Sequence, residues 1–539
     1  MRRTFLLLLL ISLVFSCSGQ SEFQLPALIG ESDGALINIE TRLVPGKGNI
    51  YLTVDPTTDS STQDSLRDAV EYAFVKSNKP ITNCDVLVSI DKNDASSVEG
   101  PSGGVAFVVS TYAALNNLTI RDDTTITGAV DKYGIVYPVG GLYEKTRGAI
   151  ANRLSYIITP TLSFHDRILL QPLFSNITVF EINHVDEAIN FLFYNKSLQA
   201  DHFNFTNRPY PNVSSYDLNV SKFKEVSLDI IEFEKTVVDS LSNQGDIGKV
   251  KSYLENEISR QNYLIEKGYF FTAANDAFLN YIDASTFLNF DTNPNKKKKE
   301  IESCLDTIPK TNKNINNFEY AFGSDLRLSW AKNKLNTTKI EELQLEEEKF
   351  FTFNELMYAD AWCHVSNSLS AASNDTGEEI NESVLKELAQ QKFEEAKALN
   401  TSNQDFLTHL SSAELSFNNE LYGAVIYDTT YVLSMNKADQ EIISMSDEEL
   451  AEALSNFKKE KRSSVWGRVY HSQAFYVSYE DNKTAYTLFV YASDLDKVTN
   501  EMKDLFNKYV EENDEKKPNI CASILILLAI GGFYSGKLY

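Results

Sequence analysis

The apolar period of this chain changes once, and that change requires two different architectures in series. Between Ala35 and about Asn195 short runs alternate with a period of two: "LINIETRLV" sets Ile37, Ile39, Thr41 and Leu43 against Asn38, Glu40 and Arg42, and "NIYLTV" sets Ile50, Leu52 and Val54 on one face. Period two is what a half-buried strand needs, and the Pro45-Gly46-Lys47-Gly48 turn between the runs predicts a hairpin. "DSLRDAVEYAFVK" then places Leu66, Ala69, Val70, Ala73 and Phe74 on one helical face. A strand over 85–90, a glycine-rich turn, an apolar helix from Gly103 to Leu115, a strand around "TTITGAV" and a helix opened by "YPVGGLYEK" follow. With the strands "SYIIT" and "ITVFEI" and the short helix "VDEAINFLF", the expectation is an α+β domain over residues 30–196.

Residues 197–222 are polar and read as a linker, and from 223 to 512 the strand signals stop. Long amphipathic segments such as "NYLIEKGYFFTAANDAFLNYIDAST" alternate Ala with Tyr, Phe and Leu. That pattern fits both helix-hairpin repeats of the tetratricopeptide type and a plain all-α bundle.

The ends carry targeting signals. Met1-Arg2-Arg3, the apolar run to Phe15 and the small residues that follow predict a signal peptide over 1–19, with Cys17 also at the position of a lipidated cysteine. Residues 519–536, within "ICASILILLAIGGFY", are predicted to be a transmembrane tail anchor, although Ile520 to Tyr534 alone spans only ~22 Å of a ~30 Å core. The expected location is outside the cytoplasm, at the cell surface or the extracytoplasmic face of the membrane. With Cys17 and Cys521 assigned to these end segments, three cysteines remain and allow one internal disulfide, for which Cys304 with Cys363 is a candidate pair.

Composition excludes one partner class. A net charge of −25 gives no basic face for a phosphate backbone, so nucleic acid is not expected. The basic run Lys296 to Lys299 reads as a solvated linker, and the acidic run "KIEELQLEEEKF" as a solvated helix face without metal-ligand geometry. No cofactor or metal is expected. Neither His165-Asp166 nor Cys363-His364 is preset to share a proton, because adjacent side chains diverge on a strand or a helix.

Two motifs carry chemistry: Glu99-Gly100-Pro101-Ser102-Gly103-Gly104, and Pro138-Val139-Gly140-Gly141-Leu142-Tyr143-Glu144-Lys145, with Thr127-Gly128 between them. Gly100 and Gly103 let the backbone turn sharply around Ser102. A helix starting near Gly103 aims free N–H groups where a tetrahedral oxyanion would form. A serine hydroxyl needs a base, and a lysine serves only when neutral, which at its ordinary pKa holds for about one molecule in 2,500 at pH 7. The apolar segments "IVYPV" and "AIANRLSYII" around Lys145 can supply the burial that lowers it.

These motifs resemble the proteolytic domain of the Lon family of Ser-Lys (S16) peptidases, in which the serine lies in a D-G-P-S-A-G turn and the lysine ends G-G-L-K-E-K. Here the corresponding residues are Ser102 and Lys145, 43 residues apart. The resemblance covers about residues 30–195, includes "VPGKG" at Val44 to Gly48, and departs from the family at Glu99, Gly103, Tyr143 and Ala129. It implies a catalytic pair, Ser102 and Lys145, supported by Thr127 hydrogen-bonded to the lysine, by Glu99 in the place of an acidic residue, and by Gly100, Gly103 and Gly141.

No ATPase module accompanies the motifs, since the G-x4-G-K spacing from Gly531 to Lys537 lacks the following Ser or Thr. The expectation is therefore an exported, archaeal-type, ATP-independent serine endopeptidase acting on flexible or unfolded polypeptides. Its helical region would hold a protein partner or gate substrate, and ring-like homo-oligomers are what the family implies. The alternative from a different class is a catalytically silent, peptide-binding surface receptor or scaffold.

Overall fold

The computed structural model describes residues 17–29, 33–54, 57–58, 60–91, 97–98, 100–200, 205–289, 292–340, 346–399, 401 and 403–516. The chain divides into two compact units near residue 205.

The N-terminal unit is built on a four-stranded sheet of β1 (Gly19–Ile29), β2 (Asp33–Pro45), β3 (Ile50–Val54) and β5 (Cys84–Asp91), in the order β1-β2-β5-β3. β2 pairs antiparallel with β1 and with β5, and β3 pairs parallel with β5. The expected hairpin over 36–54 therefore does not form: both runs are strands, but β5 lies between them. Asp85 explains the separation, because its carboxylate accepts the backbone N–H groups of Lys47 (2.7 Å), Gly48 (3.0 Å) and Asn49 (2.9 Å). The turn closes around the first residues of β5 instead of returning directly onto β2.

The N-terminal boundary also moves. β1 begins at Gly19, inside the segment assigned to a signal peptide and ahead of the expected start at residue 30. Cys17 is buried and disulfide-bonded to Cys84, so residues 17–19 belong to the fold. Cys304 and Cys363 form a second disulfide. The expectation of a single internal bond failed because Cys17 had been assigned to a targeting segment. The rest of that segment and residues 519–536 lie outside the described residues, and no described helix is long and apolar enough to cross a membrane.

A short parallel pair, β4 (Thr57–Thr58) with β6 (Ser97–Val98), is followed by a parallel sheet of β7 (Thr124–Ile126), β10 (Tyr156–Pro160) and β11 (Thr178–Ile182), ordered β11-β10-β7. β8 (Ala129–Val130) and β9 (Val136–Tyr137) form a small antiparallel ladder. The helices are α1 (Ser60–Lys76), α2 (Gly104–Asn116), α3 (Leu142–Ala151), α4 (Phe164–Leu170) and α5 (Val185–Tyr194). α2 is buried along its length from Gly104 to Leu115, as its uninterrupted apolar sequence requires. Among its buried hydroxyls, Ser110 is partnered by Ser21 (2.8 Å) and Thr41 (2.7 Å), which ties the helix to β1 and β2.

The second unit is all-helical: α6 (Ser221–Ser240), α7 (Gly245–Glu266), α8 (Phe270–Asn289), α9 (Pro294–Thr307), α10 (Phe318–Thr337) and α11 (Glu346–Ala372), then α12 (Lys386–Lys397), α13 (Gln404–Asn418), α14 (Tyr422–Ser444), α15 (Asp447–Phe457), α16 (Val465–Val477) and α17 (Asn482–Lys516). The run Lys296 to Lys299, read as linker, is helical and lies in α9, where Lys297 pairs with Asp360 at 2.9 Å. In a solenoid each repeat touches only its neighbours. Here α8 packs on α16, the ring of Phe223 lies 5.6 Å from that of Trp466, and Arg260 donates to the hydroxyl of Tyr476 at 2.8 Å. The first three helices of the unit close on α16, near its end, so the architecture is a bundle and not a tetratricopeptide-like stack.

The bundle buries a carboxyl group. Glu234 on α6 is fully buried with the side-chain amides of Gln261 and Asn280 beside it, and burial outweighs them and pushes its pKa well up. The unfolded chain loses this proton at ordinary carboxylate pH while the folded chain keeps it, so the folded state loses stability as pH rises above about 4.5. Glu234→Gln is expected to raise the melting temperature at pH 7.5 and to leave it nearly unchanged at pH 4. Equal shifts at both pH values in calorimetric scans would exclude this assignment.

Candidate active site

The turn carrying Ser102 is held from two sides. Gly100 has φ 92° and ψ 160°, a conformation that L side chains rarely adopt, and it leads into a single 3-10 turn over Pro101–Gly103 before α2 begins at Gly104. On one side, α1 donates the Thr62 hydroxyl to the Gly100 carbonyl (3.1 Å) and the Ser65 hydroxyl to the Pro101 carbonyl (3.0 Å). On the other, the segment after β7 holds the Ser102 carbonyl through the Gly128 N–H (2.9 Å) and the Thr127 hydroxyl (3.3 Å). Val105 N–H returns a bond to the Gly128 carbonyl at 3.1 Å. Ser102 thus sits on a backbone fixed at each neighbouring peptide, while remaining partly accessible. The expected helix start near Gly103 is displaced by one residue, with the serine in the tighter turn ahead of it.

Lys145 lies in the first turn of α3, which opens after Gly141 at φ 68°. It is 4 % exposed, and its Nζ donates to the Gly140 carbonyl at 2.9 Å. Burial lowers its pKa from 10.5 to about 8, against the opposing charge of neighbouring Glu144. At about 8, roughly a tenth of the molecules carry a neutral amine at pH 7. That is more than a hundredfold above an ordinary lysine.

Not every expected contact is made. Thr127 is fully buried, as a supporting residue should be, but its hydroxyl donates to the Ser102 carbonyl and is not hydrogen-bonded to Lys145. No hydrogen bond joins the Ser102 hydroxyl to the Lys145 amine. Glu99 lies outside the described residues. Of the glycines, Gly100 and Gly141 have positive φ, and Gly103 is buried against Phe107 and Leu25. The pairs set aside in the sequence are structural: Asp166 closes a capping box with Ser163, Cys363 is in a disulfide, and His364 packs on Phe233.

One positioning device had no sequence signal. α3 packs on β2 through glycines, and a Cβ at Gly148 would lie 2.6 Å from the Gly34 carbonyl carbon, while one at Gly34 would lie 1.8 Å from the Glu144 carbonyl oxygen. The helix that carries Lys145 is seated at backbone contact distance.

Residues 28–195 match the Lon protease (S16) C-terminal proteolytic domain. This segment of the chain is a Lon-type domain. It is 31 % identical over 166 residues to the Lon protease of Lawsonia intracellularis (30 % of this chain, 20 % of that protein). It is 32 % identical over 167 residues to Lon protease 2 of Thermus thermophilus (29 % of this chain, 20 % of that protein). The Lon protease of Desulfovibrio desulfuricans is 28 % identical over 171 residues (30 % and 19 %). The chain thus spans about a fifth of the length of these curated relatives. The matched segment contains the Ser102 turn, Thr127, and the Lys145 helix of the Lon-type domain, but none of the helical bundle.

Proposed function

We propose that the Lon-type domain is a serine endopeptidase in which Ser102 is the nucleophile and Lys145 the base, working outside the cytoplasm on flexible or unfolded polypeptides without nucleotide. The observation that carries this reading is the buried Lys145, lowered to about 8, on a helix whose seat leaves it little freedom. As the Ser102 oxygen attacks a peptide carbonyl, neutral Lys145 takes its proton and then returns it to the departing amine. Water hydrolyses the acyl-enzyme with Lys145 again as base. The backbone N–H groups at the start of α2 face the developing oxyanion. Closing the gap between Ser102 and Lys145 falls to bound substrate, since catalytic hydrogen bonds in empty sites are often long. Disulfides at Cys17–Cys84 and Cys304–Cys363 support export, because thiols stay reduced in most cytoplasms.

The missing Ser102–Lys145 hydrogen bond favours the second reading, a silent peptide-binding scaffold. A pH–rate profile on an unfolded, fluorescently labelled protein separates the two. The expected result is kcat/KM rising about tenfold per pH unit below the lysine pKa and levelling above about 8. A slope that persists in Lys145→Ala, or peptide binding without turnover at any pH, would sink the peptidase reading.

A further inference from the structure

The helical bundle contains a cavity of about 200 Å³ that the Lon-type chemistry does not use. Apolar cavities of about 150 Å³ admit a benzene ring, so this one has room for an aromatic side chain together with the small polar groups on its Cα. All three tryptophans of the chain, Trp330, Trp362 and Trp466, line it. Between two of them lies Arg327, its guanidinium carbon 4.9 Å from the Trp330 ring and 4.8 Å from the Trp466 ring.

Arg327 is only 6 % exposed, its Nε has no hydrogen-bond partner, and among the described residues no carboxylate comes within ion-pair distance. A buried charge left in this condition is costly unless something pairs with it. Asp428, at 1 % exposure, also lines the cavity. Its Oδ1 accepts from Trp330 Nε1 (2.9 Å) and His409 Nδ1 (2.6 Å), while its Oδ2 has no partner. With His409 beside Asp428, the cavity presents one cation that has no ion pair and whose charge reaches Asp428 and the Tyr470 hydroxyl through space, one unused acceptor and flat apolar walls.

A ligand that satisfies all three features must bring an anion to Arg327, an N–H donor to Asp428 Oδ2 and a bulky flat group to the tryptophans. We propose that this cavity binds an N-acylated aromatic amino acid through its carboxylate, its amide N–H and its ring, the arrangement found at the C-terminal end of a polypeptide. The site lies wholly within the helical bundle and does not depend on the peptidase reading.

Because every tryptophan of the chain lines the cavity, intrinsic fluorescence reports its occupancy. Titrating the full chain with N-acetyl-L-phenylalanine is expected to give saturable quenching, with at least a tenfold weaker response to N-acetyl-L-phenylalaninamide, which lacks the anion. Arg327→Met is expected to erase that preference. Ala274→Leu, which fills the cavity without touching a polar group, is expected to abolish the quenching and keeps the test valid if the arginine variant fails to fold. A decapeptide ending in phenylalanine with a free carboxyl separates the two sources: binding identifies chain ends, and exclusion identifies free acids of the same chemistry. Equal affinity for acid and amide, quenching unchanged in Ala274→Leu, or no quenching by any of the probes overturns the proposal.

Discussion

Ser102→Ala and Lys145→Met are each expected to lower kcat on an unfolded polypeptide by at least about a thousandfold, since nucleophile and base act as one unit and removing either disables both. The two variants should part company in stability. Lys145 is protonated at neutral pH in a site where it is 4 % exposed, and the drop from 10.5 to about 8 corresponds to about 3 kcal/mol of unfavourable burial. Methionine keeps the apolar stem but loses the bond to the Gly140 carbonyl, which offsets about 1 kcal/mol. Lys145→Met should therefore gain on the order of 2 kcal/mol at pH 7, while Ser102→Ala stays near the parent. Below pH 8 the lysine is charged in both folded and unfolded chains, and its full penalty is present. Between about 8 and 10.5 the unfolded chain alone holds the proton, so the parent gains stability as pH rises and the variant's advantage shrinks. Denaturant titrations at pH 7 and pH 10.5 measure this directly. A Lys145→Met that is inactive and destabilised at pH 7 would assign the lysine a structural role instead.

Gly148→Val is expected to destabilise the Lon-type domain by more than about 3 kcal/mol, among the largest single-residue effects in that domain, because the new side chain would enter backbone that cannot step aside. A Cβ there lies 2.6 Å from the Gly34 carbonyl carbon, 2.7 Å from its oxygen and 3.0 Å from the Ala35 nitrogen. Gly34→Ala should behave alike, since its Cβ would lie 1.8 Å from the Glu144 carbonyl oxygen. Gly140→Ala supplies the control: a Cβ there meets nothing within 4 Å. Its stability should stay within about 0.5 kcal/mol of the parent although it lies nearer the site. If Gly148→Val unfolded no more readily than Gly140→Ala, the close seat of α3 on β2 would be excluded.

What could be read from the sequence follows the range of the forces involved. The runs around Ile37 and Leu52 are strands because period two is a local property, but their partner is not local: Asp85 turns the chain so that β5 enters between them. β1 carries no separate signal because its alternation, "GQSEFQLPALI", begins directly after an apolar, leader-like run. Ser102 and Lys145 were found by motif and spacing, and the burial of Lys145 by the apolar segments around it. The use of Thr127 on a carbonyl, the acceptor at Gly140 and the Gly34–Gly148 contact had no such signal. Each depends on where two separately recognisable elements touch.

The closure of the helical bundle has a consequence in time. The contact of Phe223 with Trp466 and the bond from Arg260 to Tyr476, the latter across 216 residues of sequence, join segments made far apart during synthesis. Contacts of such separation form late and slowly, and at ordinary rates of chain growth α16 emerges tens of seconds after α6. The Lon-type domain is complete in sequence well before that, so a growing chain carries this domain ahead of its bundle. Tryptophan fluorescence during refolding is then expected to report a late event in the chain's assembly, the arrival of α16 beside α6 and α8.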